Sequence, residues 1–226
     1  RAPRFDELYE EFKGYVKRSY LDIDDILAEM REYSEHQRTI RDAATGVPAI
    51  DRLLRRYNLI NRDVTLPLLL PVFADFRVGI IDAEDLRGVI RTVDTYLTRR
   101  FVCGYPTNAL AKIFALLYRE ATKRRRPEDS FSDVLIHLLI RRQGSGTFPG
   151  DQEFADAMRT KDFYHISTHQ RGYIFECLEN GESNDVRDIV GALNEGDISV
   201  EHIMPQTLTP EWREDLGSES ERIHET

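Results

Sequence analysis

Apolar residues recur every three or four positions along most of this chain, the period of helices that bury one face. Phe5, Leu8, Phe12, Tyr15 and Val16 mark a first amphipathic helix. Asp22 supplies an N-cap for a second, with Ile23, Ile26, Leu27, Met30 and Tyr33 along one side. Gly46-Val47-Pro48 interrupts the pattern, and Pro48 suits the first turn of a third helix ending at Tyr57. Leu66 to Phe76 reads as a buried helix, with Pro67 near its start and Pro71 as an expected kink. Asp82 caps a helix from Ala83 to Val102. Thr107 is expected to cap the next, whose stripe is Leu110, Ile113, Phe114, Leu117 and Tyr118. Ser130 opens a helix through Arg142, and Gly144-Ser145-Gly146 reads as a flexible break. Asp151 to Met158 and His169 to Leu178 return to helical spacing, and Asn180-Gly181 ends the second.

Near the C-terminal end the period changes. Ile198 to His202 alternates like a short strand, and Pro205 ends it because proline cannot donate a ladder hydrogen bond. A short helix follows near Pro210 to Leu216, carrying the sole tryptophan, Trp212, as its expected anchor on the core. The chain is therefore predicted to be mainly α. Residues 1–143 form a central helical bundle, 144–196 a helical connector, and 197–226 a distinct, incomplete element.

With 226 residues the chain can bury a substantial core as one large domain or two small ones. Cys103 and Cys177 stand far apart in helical contexts and read as free thiols of a reducing compartment, which points to the cytoplasm. No apolar run is as long as a membrane span, and no signal peptide is visible. The first residue is Arg1, so the sequence reads as a piece of a longer protein.

A net charge of −9 disfavours a general nucleic-acid coat, but the charge is unevenly spread. Arg87 to Arg126 holds ten basic residues against Asp94 and Glu120, a local excess of eight, while the tail from Glu176 is acidic. Lys123, Arg124, Arg125 and Arg126 form the densest basic run, suited to phosphate contact or to a solvated helix end. Arg99 and Arg100 could hold a phosphate or a carboxylate, or serve as a structural ion pair at a helix end. His165 and His169 are four apart but lack the glutamate of zinc proteases. Phosphate-cradling glycine loops and serine-hydrolase elbows do not occur.

Chemistry concentrates in Val200-Glu201-His202-Ile203-Met204-Pro205-Gln206-Thr207-Leu208. A histidine near neutral pKa can take a proton from water, and an adjacent carboxylate can hold a hard metal ion. Successive strand residues point to opposite faces, so Glu201 and His202 can serve one spot only where the strand ends. This segment, with Trp212 and Leu216-Gly217 behind it, resembles the opening of the C-terminal nuclease domain of GmrSD-type restriction endonucleases. Tyr96 to Cys103, with its Arg99-Arg100 pair, resembles that family's central helix. Phe148-Pro149, Asp151, Phe154 and Tyr164 fit the stretch before its nuclease motif.

The resemblance implies a longer parent with a ParB-like nucleotide-hydrolysing domain at its N-terminus, of which no motif is visible here, and an HNH-type, or His-Me finger, domain at its C-terminus, joined by helices. Residues 197–226 would then be the first strand and helix of a truncated ββα nuclease element. It implies His202 as the general base, Glu201 as a ligand of magnesium or manganese, and foreign or modified DNA as substrate. Nucleotide triphosphate would be used only by the N-terminal domain. Arg99, Arg100 and Lys123 to Arg126 become candidate DNA contacts, and a homo-oligomer is possible in such an assembly. Later residues of the family's metal site have no counterpart before Thr226, so the chain alone is expected to be inactive. The rival reading is a non-catalytic helical interaction or dimerisation module. A catalytic His202 would be accessible beside Glu201; a structural one would be buried.

Overall fold

The structure is a computed structural model, and it describes residues 7–19, 22–181, 187–200, 205 and 207–224. Two compact units divide the chain, 1–173 and 174–226. Twelve α-helices are present among the described residues: α1 Leu8–Ser19, α2 Ile23–Asp42, α3 Pro48–Tyr57, α4 Leu66–Arg77, α5 Ala83–Val102, α6 Leu110–Arg124, α7 Phe131–Ile140, α8 Asp151–Thr160, α9 Thr168–Asn180, α10 Ile189–Glu195, α11 Pro210–Leu216 and α12 Ser220–His224.

The first unit is built around α4 and α5. Leu68, Leu69 and Val72 of α4 and Leu86, Val89, Ile90, Val93 and Tyr96 of α5 are sealed from solvent. The α5 positions follow the helical repeat, which turns one face to the core along the whole helix. Helix α4 packs on α2 and α6, and α5 on α3, α7 and α8. Pro71 sits inside α4, where most of the helix is apolar and buried. Asp82 and Ser130 cap α5 and α7 through the backbone N–H groups of Asp85 and Asp133, as expected of those residues.

Helix α7 has a second cap from a distant part of the chain. The carboxylate of Asp85, on α5, accepts from the N–H groups of both Phe131 and Ser132 at 2.7 Å. Those N–H groups have no partner within their own helix, so a buried acid satisfies them and meets the positive end of the helix dipole. Close approach of the two helices depends on Gly88, because a Cβ there would lie 2.6 Å from Ser132 Oγ.

Three expectations change. Helix α6 begins at Leu110 without a side-chain cap, because Thr107 contributes its carbonyl, accepting from Leu110 N at 3.0 Å. Gly144–Gly146 is a pinned 3-10 turn rather than a flexible break, with Gly146 buried. No strand occurs among the described residues, so the first strand of a ββα element is not seen. The N–H groups of Asp197 and Ile198 turn back to the Ala192 carbonyl at 2.9 and 3.3 Å, closing α10 around the left-handed Gly196. That helix end uses the donor with which Ile198 would have joined a ladder. Ser199 and Val200 form no strand either, and the last two residues of the expected strand, Glu201 and His202, lie outside the described residues.

In the second unit, Asn180 holds both backbone groups of Arg187 with its side-chain amide, each at 2.8 Å. Thr209 caps α11, with Pro210 in its first turn, and Trp212 is half-buried. Among the described residues, no helix is long and apolar enough to cross a membrane.

Candidate functional site

The basic residues singled out by the sequence separate into two settings. Arg100 falls on the core face of α5, one repeat beyond Val93, and is 2% exposed. Its guanidinium donates to the carbonyls of Thr147, Pro106 and Ser145 at 2.8, 2.6 and 2.9 Å. The rings of Tyr96 and Tyr105 lie 5.3 and 5.2 Å from it, within cation–π range. Tyr96 adds a hydrogen bond to the Gly146 carbonyl at 2.9 Å. Burial pushes the Tyr96 hydroxyl pKa up, opposed in part by Arg100.

Arg99 donates to the Pro149 carbonyl at 3.1 Å and pairs with Asp151 at 2.6 Å, close to the rings of Phe148 and Phe154. Together the two arginines fasten residues 144–154 to α5. Of the roles open to them, the geometry shows the structural one.

The other buried arginine among the described residues, Arg62, carries no sequence signal of its own. Arg62 pairs with Asp94 at 2.6 Å, and both side chains are almost wholly enclosed. Tyr173 donates to Asp94 at 2.7 Å, and Arg62 lies between the rings of Tyr57 and Tyr173. Burial is the largest single effect on Arg62 and works against its charge, but Asp94, Tyr173 and Tyr57 together outweigh it and the pKa is raised. Burial likewise pushes the Tyr57 hydroxyl well above its ordinary range. Arg62 lies in a short polar loop, Asn61 to Asp63, where no period flags a core position.

The run Lys123 to Arg126 divides as well. Arg125 turns inward, donating to the Asp129 carbonyl at 3.0 Å and lying 3.8 Å from Asp85. Lys123, Arg124 and Arg126 are exposed. Helices α6 and α7 are in contact, and a groove of about 770 Å³ lies between them. Its walls include Arg119, Lys123 and Arg124 from α6, and His137, Arg141 and Arg142 from the α7 side. Glu120 is the carboxylate among its lining residues, and Arg142 pairs with it at 2.7 Å. Arg124, Arg126 and His137 also border an adjoining groove with Asp129 and Asp133, where the charge is mixed.

Glu201 and His202 lie outside the described residues, so their spacing and exposure are not described. Nearby, His224 of α12 donates through Nε2 to the Pro205 carbonyl at 3.0 Å, tying α12 to the segment that follows the pair. His165 is exposed and pairs with Asp162, which holds that carboxyl below its usual range. Among the described residues, no group of three or more His, Cys, Asp or Glu is placed to hold a metal ion. Cys103 and Cys177 are both free.

Residues 148–226 match the family model of the GmrSD restriction endonucleases' C-terminal domain. The match supports a restriction-endonuclease relationship for that part of the chain. It begins at Phe148, inside the stretch that Arg99 and Arg100 fasten to α5, and takes in Glu201 and His202. Residues 1–147 lie outside it. No curated protein and no solved structure was found to match the chain. The GmrSD-like region thus begins within the first compact unit and continues through the second.

Proposed function

We propose that this chain is part of a restriction endonuclease that hydrolyses DNA phosphodiesters. The observation that carries this reading is the GmrSD C-terminal match over residues 148–226, which contains the Glu201-His202-Ile203-Met204-Pro205-Gln206 segment. His202 would take the proton of the attacking water, and Glu201 would hold magnesium or manganese. The metal, when bound, would neutralise charge developing on the phosphate. The helical body would couple this HNH-type domain to a nucleotide-hydrolysing, ParB-like domain of a longer cytoplasmic defence protein. Arg99 and Arg100 support that role by joining the central helix to the start of the matched region. Of the proposed DNA contacts, Lys123, Arg124 and Arg126 are open to a ligand, while Arg99, Arg100 and Arg125 would act by positioning.

The test is cleavage of unmodified and modified phage DNA by the full-length protein with magnesium or manganese. Cleavage that disappears in His202→Ala supports the reading. A full-length protein that cuts neither DNA with either metal overturns it. The chain alone is expected to be inactive, and metal-dependent cutting by it would overturn that part.

A second reading has its own support. Tyr9, Phe12, Tyr15, Ile23, Leu27 and Met30 leave apolar surface exposed on α1 and α2, a feature of interaction modules. If this surface pairs two copies, sedimentation shows a dimer that Leu27→Glu with Met30→Glu dissociates. A monomer in both cases removes the reading.

A further inference from the structure

We propose that the groove between α6 and α7 seats the phosphodiester backbone of duplex DNA, an inference that rests on the restriction-endonuclease reading. Arg119, Lys123 and Arg124 are exposed and meet no carboxylate among the described residues. Arg141, also exposed, contacts His137 Nε2 at 3.0 Å, which orients the guanidinium and is not a carboxylate partner. The one carboxylate among the lining residues, Glu120, is already held by Arg142. Four cations thus share a concave surface with no free counter-charge among the residues that line it.

That concentration stands out in a chain of net charge −9, whose overall charge disfavours a polyanion. Salt-bridged helix surfaces interleave opposite charges at i,i+4 spacing. Here Arg119 and Lys123 are four apart on α6 and carry the same sign, a mildly destabilising choice in an isolated helix. The hydrogen bond from the half-buried Arg125 to the Asp129 carbonyl ties down the loop between the helices, while its neighbours Lys123 and Arg124 line the groove.

Geometry favours an extended polyanion over one phosphate. Residues four apart on a helix climb about 6 Å, and phosphates recur every ~3.4 Å along each strand of a duplex. The rows Arg119–Lys123 and His137–Arg141 can therefore meet several phosphates in succession. These contacts carry no sequence information, so the groove holds DNA in place and leaves base recognition to other parts of the enzyme.

The test is fluorescence anisotropy of a labelled, unmodified duplex with the full chain and a metal chelator, over salt from about 50 to 200 mM. Substituting Arg119→Ala, Lys123→Ala and Arg141→Ala together should weaken binding about tenfold or more. It should also reduce the salt slope by about 2.7, since each phosphate contact contributes ~0.9. Removing three exposed cations elsewhere, Arg31→Ala, Arg38→Ala and Lys112→Ala, should leave affinity and slope close to the parent's. No binding by the parent, no effect of the groove triple, or an equal loss in the control triple would overturn the proposal. So would complete displacement of the duplex by millimolar inorganic phosphate, which would mark a single-phosphate pocket. Because the assay contains no metal and scores no cleavage, its failure is separate from failure of the nuclease reading.

Discussion

Arg100 and Arg119 carry the same side chain one helix apart, and their surroundings could hardly differ more. Arg100 is enclosed, with three carbonyls and two aromatic rings around its guanidinium. Arg119 is exposed in a groove with Lys123, Arg124 and Arg141. Position along the amphipathic repeat makes the difference: Arg100 continues the core face of α5, and Arg119 lies off the core face of α6. An arginine on a core face must be satisfied internally, because a buried donor left without an acceptor is costly. One on a concave open face with no acid free nearby is left available for an external anion.

The comparison can be broken first at its interior end. Asp94→Ala leaves Arg62 buried without its carboxylate and should cost about 4 kcal/mol, read as a lower urea midpoint. Next, Arg100→Met keeps the bulk but leaves the Thr147, Pro106 and Ser145 carbonyls without this donor. We expect a loss of about 3 kcal/mol, with faster proteolysis near residues 144–147. A loss under about 0.5 kcal/mol would mean that Arg100 is not what pins the turn. Gly88→Ala tests the approach of α5 to α7 that sets one wall of the groove. The added methyl must displace Ser132, so a cost of about 2 kcal/mol in thermal unfolding is expected. At the exposed end, Arg124→Ala should change stability by less than about 0.5 kcal/mol while weakening duplex binding. A large stability loss there would give Arg124 a structural role and blur the contrast.

Much of the helical body was legible in the sequence because its signals are local. Asp22, Asp82 and Ser130 cap the helices they were expected to cap, and Pro48 opens α3. What escaped depends on partners far along the chain. The Asp85 carboxylate caps a helix 46 residues away, and nothing near Asp85 in sequence announces that. The glycines at 144 and 146 signalled freedom, but Tyr96 and Arg100 remove it from nearly fifty residues upstream. Arg100 itself could have been found, since it extends the series Leu86, Val93 by one more heptad and a charge on that stripe asks for enclosed acceptors. The strand expected at Ile198 failed for a local reason: alternation describes a strand, but the glycine at 196 offered a helix end that uses the Ile198 N–H first. Glu201 and His202 were found by motif and neighbourhood, and their roles stand as proposals.

The most direct test of the account is a single-turnover cleavage series with manganese, using the full-length protein, its His202→Ala variant and its Arg119→Ala/Lys123→Ala/Arg141→Ala variant at rising enzyme concentration. His202→Ala should give no product at any concentration. The groove variant should be slow when dilute and approach the parent rate at saturation, because it loses binding and keeps the chemistry. Cleavage by His202→Ala at the parent rate would contradict the account.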